Sequence, residues 1–172
     1  MRYSLVAALA VAVSAVAVAQ DQPAGDTPAS GWQTFEEDSG RSGALLRADN
    51  GSQIVIKCDK PGRREVHAMI LSSNDKLAVP NPRPISRPIR FQFDSKSPST
   101  ENWRFYETYA MASGKTGDRA LARFIVNLRN ASSVRTLLST GIGPDVDITF
   151  DVTGAAEAIA HVYDTCKDSA PA

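Results

Sequence analysis

The sequence predicts an α+β domain: a mainly antiparallel β-sheet of about eight strands, two helices in the C-terminal half, and one disulfide. Three observations carry this. Apolar and polar residues alternate with a period of two over most of residues 32–111, as strands with one buried face require. The period lengthens to that of a helix in two stretches, 118–129 and 154–166. Most connections between the periodic segments are short, which favours hairpins over helical crossovers.

The elements follow in order. Trp32-Gln33-Thr34-Phe35 opens an extended segment. Residues 43–48 and 52–58 flank Asn50-Gly51, a strong hairpin signal because a type I′ turn needs positive φ at both central residues. A two-residue loop there places Leu45 opposite Ile56 and puts Ile54, Ile56 and Cys58 on one buried face. Pro61-Gly62 turns the chain into a third strand over 64–72, apolar on both faces near Met69-Ile70-Leu71. Residues 77–87 carry Pro80, Pro82 and Pro84, with Pro88 just beyond. They read as an extended connector into an edge or first-strand position, because proline cannot donate to a ladder. Ile89, Phe91 and Phe93 then alternate with Arg90, Gln92 and Asp94, and 95–100 is a polar turn. Residues 102–111 predict one long strand with Trp103, Phe105, Tyr109 and Met111 on a shared face.

Leu121, Phe124, Ile125 and Leu128 fall on one face of a helix over 118–129, with Asp118 as its N-cap. Alternation returns over 133–139 and 145–152, joined by Gly141-Ile142-Gly143-Pro144; Val146, Ile148 and Phe150 point inward. Thr153 is the expected cap of the last helix, whose apolar stripe is Ala156, Ile159, Ala160, Val162, Tyr163 and Cys166.

Ahead of this domain, a short basic start precedes an Ala/Val/Leu run that ends in Ala17-Val18-Ala19, an A-x-A cleavage site. Residues 1–19 therefore read as a secretory signal peptide, too short and too rich in Ala and Val for a membrane span. Residues 20–31 form a Pro/Ala/Gly leader, 32–166 the single α+β domain and 167–172 a flexible tail. The expected location is periplasmic or secreted, in a bacterium. Cys58 and Cys166 are the two cysteines, and an even pair in an oxidising compartment reads as a disulfide. The bond closes a loop of about 109 residues, for which chain entropy alone gives near 5 kcal/mol.

Nineteen Lys and Arg balance nineteen Asp and Glu, which argues against nucleic acid as a partner. With both cysteines read as a disulfide, the two His cannot make a four-ligand His/Cys metal site, and no cofactor is expected. No G-x-S-x-G, H-E-x-x-H, S-x-x-K or Walker motif occurs. His67 lies mid-strand and His161 lies on the polar side of the last helix near Asp164. A hydrolase would need folding to bring either to a second titratable group. Asp145, Asp147 and Asp151 alternate on one strand and read as solubilising charge rather than a cation site. Arg83, Arg87 and Arg90, interleaved with prolines, form the most partner-like surface, pre-extended and basic.

From residue 54 to residue 166 the order of features resembles the VasI accessory proteins of bacterial type VI secretion systems. The matching residues are Cys58 ending an early strand, Arg90-Phe91-Gln92-Phe93-Asp94, Trp103, and the Leu121/Phe124/Leu128 helix. They continue with the strand from Val134 to Leu138, Phe150-Asp151-Val152-Thr153-Gly154, and the closing Cys166. The resemblance implies an exported accessory role and a shared fold, and it brings no catalytic residues. The expected function is a non-enzymatic binding or accessory module of the envelope, docking an unknown protein or envelope component through Arg83, Arg87 and Arg90. A small periplasmic hydrolase using His161 or His67, or a periplasmic enzyme inhibitor, are the alternatives.

Overall fold

A computed structural model describes residues 31–37, 40–63, 65–73, 77, 79, 83–113, 119–141 and 143–172. The expected signal peptide, the leader up to residue 30, Pro80, Pro82 and the Asp118 cap lie outside the described residues. Among the described residues nine strands, one more than expected, form a single antiparallel sheet. They are β1 Trp32–Glu36, β2 Ser42–Arg47, β3 Gln53–Cys58, β4 Val66–Leu71, β5 Ile85–Phe93, β6 Ser99–Phe105, β7 Tyr109–Ser113, β8 Ser133–Leu138 and β9 Val146–Asp151. Their order across the sheet is β1-β2-β3-β4-β7-β6-β5-β8-β9. The two helices, α1 Arg119–Arg129 and α2 Ala155–Thr165, stand in the C-terminal half as predicted.

The Asn50-Gly51 hairpin forms in a different register. Leu45 faces Val55, and Ala44 faces Ile56. Ala48 N–H donates to the Ser52 carbonyl, so the loop holds three residues rather than two. Gly51 takes φ 84° while Asn50 stays at negative φ, and the Asn50 Oδ1 accepts from Ser52 N at 2.9 Å. That side-chain bond stabilises a wider loop with one left-handed residue instead of two.

The long strand expected over 102–111 is two strands. Tyr106 N–H donates to the Tyr109 carbonyl, closing a two-residue turn at Glu107-Thr108. The reversal pairs Phe105 with Ala110, so the inner face passes to Ala110 and Ala112. Tyr109 and Met111 therefore point away from Trp103 and Phe105.

The expected edge position of β5 is also corrected, since this strand lies between β6 and β8. Pro88 is accommodated because β8 pairs with β5 only from Ile89 onward. At α2 the N-cap is Gly154, at φ 83° without a side-chain cap, rather than Thr153. The helix accordingly buries Ala155 and Ala158 in place of Ala156 and Ala160.

Both helices cover one face of the sheet. α2 packs on β1, β2 and β3, α1 packs on β6 and β7, and the helices touch each other. Phe124 of α1 enters an aromatic cluster, with ring centroids 5.1 Å from both Phe91 and Trp103 and 6.1 Å from Phe93. The Cys58–Cys166 bond forms as predicted, with Cα atoms 5.8 Å apart, tying the end of β3 to the end of α2. Gly62 N–H donates to the Cys166 carbonyl at 2.7 Å beside it. The sheet curls: Trp32 on β1 donates its indole N–H to the Val152 carbonyl just past β9, at 3.4 Å, so the two outermost strands approach. Residues 167–172, expected as a flexible tail, fold back, with Ala170 against the core and the Pro171 carbonyl accepting from Arg129. Among the described residues no helix is long and apolar enough to cross a membrane.

Candidate functional site

Because the helices cover one face, alternation leaves every second residue of β2, β3, β4 and β7 on the other, outer face. Cα partners run across it in the order Leu45, Val55, Met69, Met111 and Arg104. Val55 is 7% exposed yet stands apart from the main core, so this row forms a small apolar surface of its own. A parallel row runs Phe35, Gly43, Lys57, His67 and Ser113. The Phe35 ring covers Gly43 so closely that a Cβ there would lie 2.2 Å from Phe35 Cζ.

Between these rows, over β3, β4 and β7, lies a groove of about 370 Å³ lined by Lys57, Asp59, Glu65, His67, Met69, Tyr109, Met111 and Ser113. Asp59 holds its polar end together, with Lys57 Nζ at 3.3 Å and His67 Nε2 at 3.7 Å. Lys60 Nζ approaches Glu65 at 3.4 Å. Burial pushes the His67 imidazole below its ordinary range, against the opposing pull of Asp59 and of the Glu65 carbonyl that accepts from the ring. Its neutral form is thereby favoured. At the other end Tyr109 stacks on Tyr106 with centroids 4.4 Å apart, and burial, then Tyr106, raises the Tyr109 phenol. An apolar floor with a few convergent polar groups is the usual form of a ligand site.

The other sequence-predicted residues are placed apart. Arg87 is half-buried and donates to the carbonyls of Leu77, Ser139 and Thr140, with its guanidinium 5.9 Å from the Phe105 ring. It fastens the start of β5 to the end of β8, and Gly141 leaves it room, since a Cβ there would lie 2.9 Å from the guanidinium carbon. The basic cluster thus divides, with Arg83 and Arg90 exposed and Arg87 turned inward. His161 stands on the helix side of the sheet, its Nε2 3.3 Å from Glu36 Oε1 of β1 without hydrogen-bond geometry. Asp147 pairs with Arg135, whose side-chain hydrogen bond is the first cause holding its carboxyl below the ordinary range; Asp151 accepts from Thr153 N at 3.0 Å and is held low first by the Thr153 side chain's hydrogen bond and then by that N–H. No cluster of three His, Cys, Asp or Glu close enough to hold a metal ion occurs among the described residues.

Of the groove residues, sequence reasoning singled out His67 alone. The available signal for the rest was Met69-Ile70-Leu71, apolar on both faces, which marks a strand whose second face also carries a surface. No family model, curated protein or solved structure matches this chain.

Proposed function

We propose that the chain is an exported, non-enzymatic binding module of the cell envelope, and that its site is the outer-face groove over β3, β4 and β7. The observation that carries this reading is the apolar row from Leu45 to Met111, left without a covering element among the described residues while polar groups gather along one side. The disulfide is compatible with an oxidising compartment. An accessory role in a secretion machine is supported by the sequence resemblance over residues 54–166.

The fluorescent apolar anion 1-anilinonaphthalene-8-sulfonate tests the reading. Titrated into the folded, oxidised protein, it gains fluorescence saturably, and Met69→Glu removes the gain while leaving the melting temperature nearly unchanged. A gain that Met69→Glu does not alter, or none at all, rejects the groove as a binding site.

One observation favours a second reading, a hydrolase centred on His67. Ser113 stands opposite His67 in register, and Asp59 lies 3.7 Å from the ring. A fluorophosphonate separates the two readings. The binding module leaves Ser113 unlabelled, whereas a covalent adduct on Ser113 with turnover of a nitrophenyl ester establishes the hydrolase.

A further inference from the structure

The sequence has three methionines, and the two beyond the initiator, Met69 and Met111, are direct cross-strand partners on the outer face. His67 lies on the same face of β4, two residues before Met69, and all three line the one groove. Side chains directly opposite in an antiparallel pair have Cβ atoms roughly 4.5–5.5 Å apart, and a diagonal neighbour is within reach of a long side chain. Two thioethers and an imidazole can therefore meet over the β4/β7 pair. His67 Nε2 also lies 3.7 Å from Asp59 Oδ2, the kind of carboxylate partner that orients a metal-bound imidazole.

This donor set is selective. Thioethers are soft, weak ligands that bind hard cations such as Ca²⁺ or Mg²⁺ poorly and suit Cu(I). Thiolates are ruled out as competitors within the chain, since both cysteines are consumed in the disulfide and no free cysteine remains. Met69 and Met111 are half-buried, so an ion can enter from solvent and still sit on an apolar floor.

Resting on the binding-module reading and naming its ligand, we propose that the groove binds one cuprous ion through the sulfurs of Met69 and Met111 and one ring nitrogen of His67. The ion enters and leaves as Cu(I). Binding transfers no electron.

The test is an anaerobic competition between the disulfide-intact protein and the chromogenic Cu(I) chelator bicinchoninate, with Cu(I) alone as the probe. One equivalent per chain is withdrawn from the chelator. Met69→Leu with Met111→Leu keeps volume and apolarity while removing both sulfurs, and it weakens binding more than the roughly 10–100-fold that outer-shell changes cost. His67→Gln weakens it as well, and X-ray absorption of the loaded protein reports two sulfur scatterers and one nitrogen. Failure to withdraw Cu(I), or full binding by the double leucine variant with an unchanged melting temperature, overturns the proposal. The double leucine variant retains the apolar floor and still binds the naphthalene sulfonate. Lost Cu(I) binding with retained dye binding in the native protein rejects the ion alone; loss of both rejects the module reading too.

Discussion

The two ends of the sheet secure a helix by different means. On β1, β2 and β3, α2 packs through Ala155, Ala158, Ile159, Val162 and Tyr163 and is fastened by Cys58–Cys166. On β6 and β7, α1 is held by large aromatic rings, with Phe124 among Phe91, Phe93 and Trp103. The outer faces differ in parallel. The N-terminal half presents Leu45, Val55, Met69 and Met111. The C-terminal half presents Arg90, Gln92 and the Arg135–Asp147 pair around a smaller hollow of about 190 Å³. One helix is thus held by aliphatic packing plus a covalent tie, the other by an aromatic cluster.

Removing the bond breaks the comparison most severely. Cys58→Ala with Cys166→Ala lowers unfolding free energy by up to about 5 kcal/mol in urea titrations. Hydrogen exchange then rises chiefly in α2 and β1 to β3; a uniform rise over both halves refutes the division. Phe124→Ala attacks the other half and costs about 4 kcal/mol by the same titration, with exchange rising in α1, β5 and β6. Gly43→Ala displaces the Phe35 ring and costs about 1–2 kcal/mol, again confined to the N-terminal strands. The smallest effect is on the charged face, where Arg135→Ala leaves the melting temperature within measurement scatter, since an exposed pair contributes little.

Much of the fold was legible because alternation and helical spacing are imposed by burial itself. Ile89, Phe91 and Phe93 face the core as expected, and so do Leu121, Phe124, Ile125 and Leu128. The candidate site was largely hidden, for one physical reason. Glu107-Thr108 turns the chain without Gly, Asn, Asp or Pro, and its closure relies on the stacked Tyr106 and Tyr109 and on long-range bonds. In those bonds Ser72 N–H donates to the Thr108 carbonyl and Leu77 N–H to the Glu107 carbonyl. A tertiary turn of this kind leaves no local mark. Missing it kept Tyr109 and Met111 in the core and away from His67. The Arg83, Arg87 and Arg90 cluster misled in the opposite way: proline spacing shows an extended segment but not which guanidinium meets carbonyls. Asn50-Gly51 announced a hairpin correctly and its register wrongly, because an Asx bond widened the loop by one residue.

Cys58 and Cys166 lie 108 residues apart, and Trp32 finds its carbonyl partner 120 residues downstream. Such distant pairings make assembly slow and order it in time. As the chain emerges from N- to C-terminus, β1 to β4 exist before either helix, and the first thiol must wait for a partner that arrives almost last. Throughout that interval the half with two apolar faces has neither its helix nor its bond. Its safe passage therefore depends on the surroundings in which it is made, on an oxidant that does not capture Cys58 early and on something that shields the unfinished strands until α2 docks.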